Sequence, residues 1–145
     1  MARKDKLLSQ QIFSAYHLVK SEDLNHHGTL YAGRTAEWFV ESGFIAASNL
    51  TDPAHTVCLQ IHGMTFFHPV RRGDIACFES QVVYSGRSKL VSYIKMRVKE
   101  TLIVEGFITF IHVDDEGKAC PHGITIQPEN EEEQALLERA QSLFA

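Results

Sequence analysis

The chain has 145 residues, 44% of them hydrophobic, so it is long enough for one domain with a real core and too short for two ordinary domains. Its formal net charge is −4, and no run of basic residues is longer than the pairs at 3–4 and 71–72, which argues against nucleic acid as a partner. No apolar stretch approaches the roughly 18 residues of a membrane helix, and no apolar segment follows the charged start at 1–6. We therefore expect a cytoplasmic protein that does not insert into membranes.

The first predicted elements are a strand and a long helix. Residues 12–20 mix aromatic, β-branched and small side chains, which predicts a strand. From Ala32 to Leu50 small apolar residues recur every three or four positions, which predicts a helix lying close on a sheet. Pro53 follows shortly after Leu50 and cannot continue the helix, so the helix should end there.

The rest of the chain predicts a meander of long strands and a terminal helix. Four segments rich in Val, Ile, Phe and Thr are separated by short turn sequences; they are 55–70, 74–84, 89–99 and 102–113. Residues 129–144 are acidic and partly amphipathic, which predicts a C-terminal helix.

These elements define an α+β fold in which one helix covers one face of a curved, antiparallel, five-stranded sheet. We expect a single domain over residues 1–145, with a core at about 12–120 and a helical tail at about 129–144. One helix cannot cover five long strands and the aromatic residues they carry, so dimerisation should extend the sheet and protect its edge. The aromatic residues are Phe66, Phe67, Phe78, Phe107 and Phe110.

The three cysteines, Cys58, Cys77 and Cys120, are an odd set without CxxC spacing, and the first two lie in strand-like segments. This pattern indicates neither a disulfide framework nor a zinc site, and no metal site is expected. A catalytic cysteine is not favoured, because the sequence places no histidine where it would activate one of these thiols.

The segment that leads into the predicted helix carries most of the chemistry. Ala32 and Gly33 are small, so the first N–H groups of the helix can approach a bound oxygen, and a helix N-terminus carries a partial positive charge. This arrangement suits a site that holds an oxyanion. Polar or titratable groups lie close by in sequence; they are Asn25, His26, His27 and Glu41.

Several separated segments together resemble the hotdog-fold acyl-CoA thioesterases, over roughly residues 12–120. The matching segments are 25–28 with Ala32-Gly33, 63–70 with Gly73-Asp74, 85–88, and 110–118. The resemblance implies a sheet wrapped around a central helix, and acyl-CoA as the substrate class.

The resemblance also implies a carboxylate seven residues after the second glycine of the helix start, and there this chain departs from the family. Counted from Gly33, that position is Val40, and Glu41 comes one residue later. One residue on a helix is a rotation of about 100°, so the two side chains cannot point the same way in a regular helix. A π-bulge or a one-residue shift would bring Glu41 into place as a general base or nucleophile. Otherwise Val40 lines the acyl pocket, and Glu41 lies on an ordinary helix flank where Arg34 pairs with Glu37 or Glu41.

The remaining site predictions concern the loop and the basic turns. We expect the thioester carbonyl at the N–H groups near Gly33, with Asn25 orienting water or the thioester and with His26 or His27, of which His27 is preferred, carrying a proton. The resemblance places the turn at 85–88 near coenzyme A. Predicted contacts to its phosphates, or simply solvated turn residues, are Arg71, Arg72, Arg87, Ser88 and Lys89.

The function predicted from these residues is hydrolysis of a small or medium acyl-CoA to free acid and coenzyme A. The enzyme would be a homodimer or a dimer-based tetramer or hexamer, and it would need no metal or redox cofactor, since coenzyme A is part of the substrate. One alternative is hydration or dehydration of an enoyl or hydroxyacyl thioester by His27 and Glu41. The other is a protein that binds acyl-CoA without cleaving it, which Val40 would favour.

Overall fold

The computed structural model describes residues 6–144, so residues 1–5, which carry most of the charged N-terminal segment, and Ala145 lie outside the described part. The strands of this part are β1 (Lys6–Leu8), β2 (Phe13–Leu18), β3 (Thr56–Ile61), β4 (Thr65–Phe66), β5 (Ile75–Ser85), β6 (Lys89–Val98), β7 (Thr101–His112) and β8 (Ile124–Ile126). Its α-helices are α1 (Ala32–Leu50) and α2 (Glu131–Ser142). Neither helix is both long and apolar enough to cross a membrane.

Six of the strands form one antiparallel sheet. Its order is β2-β5-β6-β7-β3, and β4 also pairs with β7. Strands β5, β6 and β7 are the long strands of the predicted meander, and the predicted first strand is confirmed as β2 at one edge of the sheet. Strand β3 lies at the opposite edge of the sheet. The predicted α+β architecture is confirmed. The sheet has six strands, so the predicted count of five is wrong by one.

The prediction of one continuous strand over 55–70 is wrong, because the chain breaks between β3 and β4. Gly63 has φ of +129°, a conformation that residues with a side chain rarely adopt. The backbone passes so close to β7 there that a Cβ atom on Gly106 would collide with the carbonyl oxygen of Gly63. The same Cβ would lie 3.0 Å from Cζ of Phe39. Two glycines therefore allow the segment between β3 and β4 to bend while it stays beside β7. The chain then reaches the start of α1, where the Leu30 N–H donates to Val70 O.

Helix α1 packs closely against one face of the sheet because its buried side is made mainly of small residues, with Phe39 as the one large side chain. A Cβ atom on Gly43 would lie 2.9 Å from Cδ1 of Ile94 on β6, so the helix axis is as close as a glycine permits. Two buried serines of the sheet donate to helix carbonyls: Ser80 Oγ to Ser42 O at 2.7 Å and Ser92 Oγ to Gly43 O at 2.9 Å. These bonds satisfy buried polar groups and fix the position of α1 on the sheet.

The outer face of the sheet is partly covered by α2. Asn130 caps this helix by accepting from the Glu133 N–H at 2.8 Å. Leu136 and Ala140 are buried in a second apolar cluster whose sheet residues are Val83, Val91, Tyr93 and Phe107. The C-terminal helix is thus confirmed, with bounds inside the predicted 129–144. The parallel pair of β1 and β8 was not predicted, because two three-residue strands carry too little periodic pattern to be recognised.

Candidate active site at the start of the central helix

The loop before α1 is closed by the side chain of Asn25. Its Oδ1 accepts from the N–H of His27 at 2.9 Å and from the N–H of Thr29 at 3.2 Å, while its Nδ2 donates to Thr29 Oγ1 at 3.2 Å. Gly28 completes the turn with φ of +78°, which favours glycine. Asn25 therefore shapes the loop in addition to lining the cleft described below.

The first turn of α1 leaves two backbone donors open. The carbonyl oxygen of Tyr31 accepts from the N–H groups of Arg34 at 3.0 Å and Thr35 at 3.1 Å. Within residues 6–144, neither the Ala32 N–H nor the Gly33 N–H donates a hydrogen bond, and no side chain caps the helix. A Cβ atom on Gly33 would lie 2.9 Å from the phenol oxygen of the exposed Tyr31, so a side chain at this position would require the Tyr31 ring to move.

A cleft of about 310 Å³ opens beside this first turn. One wall comes from the loop and from α1, and the other from the segment that follows β4. The lining residues are Asn25, Leu30, Ala32, Thr35, Phe66, Phe67, His68, Pro69, Val70 and Ile103. Phe66 and Phe67 remain 49% and 45% exposed, so the cleft has an apolar wall that an additional apolar group could cover.

Val40 and Glu41 occupy different sides of α1, because the helix is regular from Ala32 to Leu50 and contains no π-bulge. Val40 is half-buried and packs against the main apolar cluster, whereas Glu41 is exposed. The local adjustment that would bring Glu41 to the place of Val40 is absent. Helix geometry therefore separates the two side chains by about 100°.

Glu41 shares its side of the helix with a group that the sequence analysis did not single out. The ring of His17 on β2 stacks on Trp38 with centroids 4.2 Å apart and planes at 10°. Burial lowers the pKa of His17, and the nearby charges of Glu41 and Asp23 oppose that shift. Asp23 is buried and pairs with Arg34, whose Nε lies 3.2 Å from its Oδ1. The composition of residues 12–20 predicted a strand that includes His17, but only the fold shows that its ring meets Trp38.

His26 and His27 lie at the exposed tip of the loop. Their ring centroids are 3.9 Å apart, and neither residue lines the cleft. No hydrogen bond or ion pair within residues 6–144 joins His27 to Glu41. The structure thus places the two predicted proton carriers near the cleft, and it does not bring His27 and Glu41 together as the pair that a hydratase would need.

The predicted basic contacts fall into two groups. Arg71 forms an isolated β-bridge with Thr29, and Arg72 lies 3.5 Å from Ser21, so both adjoin the loop. The turn at 85–89 is at the opposite end of the molecule, where Ser88 O accepts from the N–H of His112. Helix α1 is about 28 Å long at 1.5 Å per residue, so Arg87, Ser88 and Lys89 do not reach the cleft of their own chain.

The prediction that no histidine reaches a cysteine is wrong for Cys120. Its Sγ lies 3.3 Å from Nδ1 of His112, a contact between residues on either side of the turn after β7. Cys58 and Cys77 lie in β3 and β5 as predicted, and all three thiols are free. Across residues 6–144 no group of three or more histidine, cysteine, aspartate or glutamate side chains is placed to hold a metal ion.

An antiparallel sheet wrapped around one long helix, with a cleft at the start of that helix, defines the hotdog class of proteins. The comparison with known families agrees. The chain belongs to the thioesterase superfamily, whose family model matches residues 27–105, more than half of its length.

Individual relatives extend the match beyond that segment. The chain is 30% identical over 118 residues to the uncharacterized acyl-CoA thioester hydrolase YkhA of Bacillus subtilis (strain 168), covering 77% of this chain and 67% of that protein. An acyl-CoA hydrolase from Staphylococcus aureus, solved with butyryl coenzyme A, coenzyme A and coenzyme A disulfide, superimposes with a TM-score of 0.86 at 24% identity, covering 94% of this chain and 87% of the other. An apo-hexameric acyl-CoA thioesterase superimposes with a TM-score of 0.81 at 26% identity, covering 90% and 86%.

Proposed function

We propose that this protein hydrolyses acyl-CoA thioesters to free acid and coenzyme A. The observation that carries the proposal is the pair of open N–H donors on Ala32 and Gly33 beside an apolar-walled cleft. Such donors suit the oxygen of a thioester, which gains negative charge as water attacks its carbonyl carbon. Relatives named acyl-CoA thioester hydrolase support the same substrate class.

The chemical step needs three things from the site. The Ala32 and Gly33 donors hold the carbonyl oxygen, Asn25 positions the attacking water from the rim of the cleft, and His27 takes up its proton, with His26 beside it. The new C–O bond forms as the C–S bond breaks, and the departing thiolate of coenzyme A is then protonated. A preorganised oxyanion donor is typically worth about 10² to 10³ in kcat.

A general-base carboxylate is not part of this proposal. Glu41 is exposed on the His17 side of α1, and the position that the family resemblance assigns to the acid is the inward-packed Val40. Because Val40 adds an apolar surface instead, we assign it to the acyl-binding wall.

We propose that the working unit is a homodimer or a dimer-based tetramer or hexamer. Strand β3 is an edge strand, and every residue after Thr56 in it is exposed. Antiparallel pairing of two β3 edges about a two-fold axis reverses one subunit relative to the other. The partner's turn at 85–89 would then face the end of α1 where the cleft lies. This pairing brings Arg87, Ser88 and Lys89 within reach of a coenzyme A whose thioester sits in the cleft, with Arg71 and Arg72 supplied by the same chain. One superimposed relative is described as hexameric.

Three further features complete the proposal. The cleft volume of about 310 Å³ is at the lower end of the range for small-molecule pockets, which supports a small or medium acyl group. No cofactor is assigned beyond the coenzyme A portion of the substrate. The three free thiols support a reducing compartment, the cytoplasm.

The inward position of Val40 favours one second candidate, a protein that binds acyl-CoA without cleaving it. The two are separated by measuring thiol release from a series of acyl-CoA thioesters of two to twelve carbons, together with calorimetric binding of coenzyme A. Turnover with a maximum at short or medium chains supports the hydrolase. Binding of acyl-CoA without release of thiol above the buffer rate contradicts it and supports the second candidate. Formation of a hydrated product without thiol release would instead support a hydratase.

A further inference from the structure

Among the described residues that line the cleft at the start of α1, His68 is the one with a titratable side chain. The other lining residues have apolar, hydroxyl or amide side chains, and none of these exchanges a proton near neutral pH. His26 and His27 lie at the tip of the loop and do not line the cleft. In the proposed reaction the departing sulfur needs a proton, and no group described so far supplies it.

The segment after β4 passes from an apolar surface to a basic one, and His68 lies between them. Phe66 and Phe67 form the apolar wall of the cleft, whereas Arg71 and Arg72 come three and four residues after His68. An acyl-CoA has the same order, since an apolar acyl chain is followed by the thioester and then by an anionic nucleotide. With the acyl chain against the phenylalanines and the phosphates toward the arginines, the thioester sulfur lies beside His68.

Backbone hydrogen bonds hold this segment against the rest of the site. The Phe67 N–H donates to Ile103 O at 2.8 Å, on the β7 side. The Leu30 N–H donates to Val70 O at 2.8 Å, which ties the segment to the loop two residues before the first residue of α1. His68 lies between these two attachment points, on the wall of the cleft that faces the open N–H donors of the helix.

The imidazole of His68 is available to a bound molecule. It is exposed, and within residues 6–144 it has no hydrogen-bond or ion-pair partner. By contrast, His55, His62 and His112 each form a hydrogen bond with another residue of the protein. A histidine that lines a cleft and has no internal partner can give a ring proton to a group bound there.

We infer that His68 is the general acid of the thioesterase reaction and protonates the departing sulfur of coenzyme A. This inference rests on the proposed function. As the C–S bond of the tetrahedral intermediate breaks and the carbonyl re-forms, the electron pair of that bond goes to sulfur, and the protonated imidazole of His68 gives a ring proton to it. The neutral thiol leaves. His68 then regains a proton from solvent, and the proton that His27 took from water returns to solvent.

The test compares thioesters of one acyl group whose leaving thiols differ in acidity. Butyryl-CoA and S-butyryl-N-acetylcysteamine release alkyl thiols, which need protonation as they leave. S-(4-nitrophenyl) thiobutyrate releases an acidic thiol, whose thiolate leaves without a proton. For His68→Gln we expect kcat/KM to fall about 10² or more with both alkyl thioesters, as for loss of a general acid, and less than about threefold with the nitrophenyl thioester.

The matched control is His17→Gln, because His17 is a half-buried histidine on β2 that does not line the cleft. It should keep all three rates. The nitrophenyl rate also reports whether His68→Gln is folded, and its midpoint in urea should match that of the wild type because the replaced imidazole has no internal partner.

Three results would overturn the assignment of His68. Equal losses with all three substrates would indicate a structural or binding role, and unchanged rates with the alkyl thioesters would exclude an acid. A loss confined to butyryl-CoA would show that His68 contacts the coenzyme A portion and does not protonate the sulfur. A wild-type protein that releases no thiol from butyryl-CoA would instead contradict the proposed function itself, and the role of His68 would fall with it.

Discussion

Val40 and Glu41 are adjacent in sequence, but Val40 packs against the core and Glu41 is exposed. Substitutions at these two positions therefore test whether a carboxylate on α1 acts as a general base. Because Glu41 points away from the cleft side of α1, we expect Glu41→Gln to change kcat by less than about tenfold. Val40→Asp places a carboxylate where the family resemblance expects one, and a general base contributes about 10² to 10⁴. We expect it to raise kcat at least about tenfold, measured by thiol release at saturating substrate.

The control for Val40→Asp is Val40→Asn, which has nearly the same shape and cannot act as a base. Equal effects of the two changes would show that polarity or packing at this position, and no carboxylate, alters the rate. A loss of more than about a hundredfold in Glu41→Gln would contradict the placement of Glu41 outside the reaction and would return it to the role of base.

Asn25 combines a structural and a chemical role, and two substitutions separate them. Asn25→Ala removes the acceptor of the His27 and Thr29 N–H groups, so we expect a loss of about 1 to 2 kcal/mol in the free energy of unfolding and a fall in kcat. Asn25→Asp keeps an oxygen acceptor for both N–H groups and loses the amide donor. Unfolding by urea should show nearly wild-type stability for Asn25→Asp, with kcat still reduced at least tenfold. Full activity in Asn25→Asp would leave Asn25 with the loop-shaping role alone.

At the scale of elements, the close approach of the β3–β4 segment to β7 depends on the absence of a side chain on Gly106. Gly106→Ala forces a Cβ atom onto the Gly63 carbonyl and against Phe39, so we expect a loss of about 3 kcal/mol or more in the free energy of unfolding. Gly86→Ala is the matched control, because its Cβ atom would meet only the flexible stem of Lys89, at 3.1 Å. Similar denaturant midpoints for the two variants would contradict the close approach of Gly63 to Gly106.

His55 links the connection after α1 to the turn after β7, and this link should depend on pH. Its Nε2 lies 2.7 Å from Asp115 Oδ1 and its Nδ1 lies 3.3 Å from Asp52 Oδ2. The hydrogen bond to Asp115 and then that to Asp52 raise the pKa of His55 above its ordinary value near 6.5. The protonated form is thus favoured in the folded state. Its stabilisation is complete below pH 6.5 and is lost as pH rises through the higher folded-state pKa.

The measurement is the difference in melting temperature between the wild-type protein and His55→Gln from pH 5.5 to 8.5. We expect wild type to melt higher at low pH and the difference to shrink toward alkaline pH. Burial lowers the pKa of His17 and His62, so those residues destabilise the fold as pH falls. Both proteins share this effect, so subtracting their melting temperatures isolates the contribution of His55. Asp115→Asn should reproduce part of the effect. A difference that grows with pH would contradict the link.

An element could be predicted from the sequence when the residues that specify it lie within the element itself or next to it. Elements that depend on contacts with distant residues could not. Helix α1 was placed correctly, because small apolar residues at helical spacing and Pro53 act within the segment itself. The break at Gly63 was missed, since its cause is the approach of Gly106 more than forty residues away in sequence. The pairing of β1 with β8 also depends on a distant partner.

At the scale of the whole molecule, the candidate site could be predicted only in part. Asn25, Ala32 and Gly33 were identified because a loop, a helix start and small residues are contiguous. The 100° separation of Val40 and Glu41 follows from helix geometry alone, but which of them packs inward depends on the sheet beneath α1. The distance between the cleft and Arg87 could not be seen in sequence, because it depends on the direction in which α1 runs across the sheet.

Because Arg87 lies far from the cleft of its own chain, the proposed role of the turn at 85–89 depends on a partner subunit, and this dependence can be tested. Val57, Leu59 and Ile61 are 50%, 60% and 48% exposed along the free edge of β3, and burying them against a second β3 would complete the sheet. Leu59→Lys places a charge in that pairing, so we expect light scattering to show a shift from a multiple of 16.4 kDa toward the single-chain mass. Because the partner's turn at 85–89 is then lost from the site, the KM for acyl-CoA should rise at least about tenfold.

Leu7→Lys, at a residue 68% exposed on β1, is the matched control and should keep both mass and KM. A Leu59→Lys protein of unchanged mass would contradict pairing through β3. A monomer with unchanged KM would instead show that Arg87, Ser88 and Lys89 do not contribute to binding across the interface.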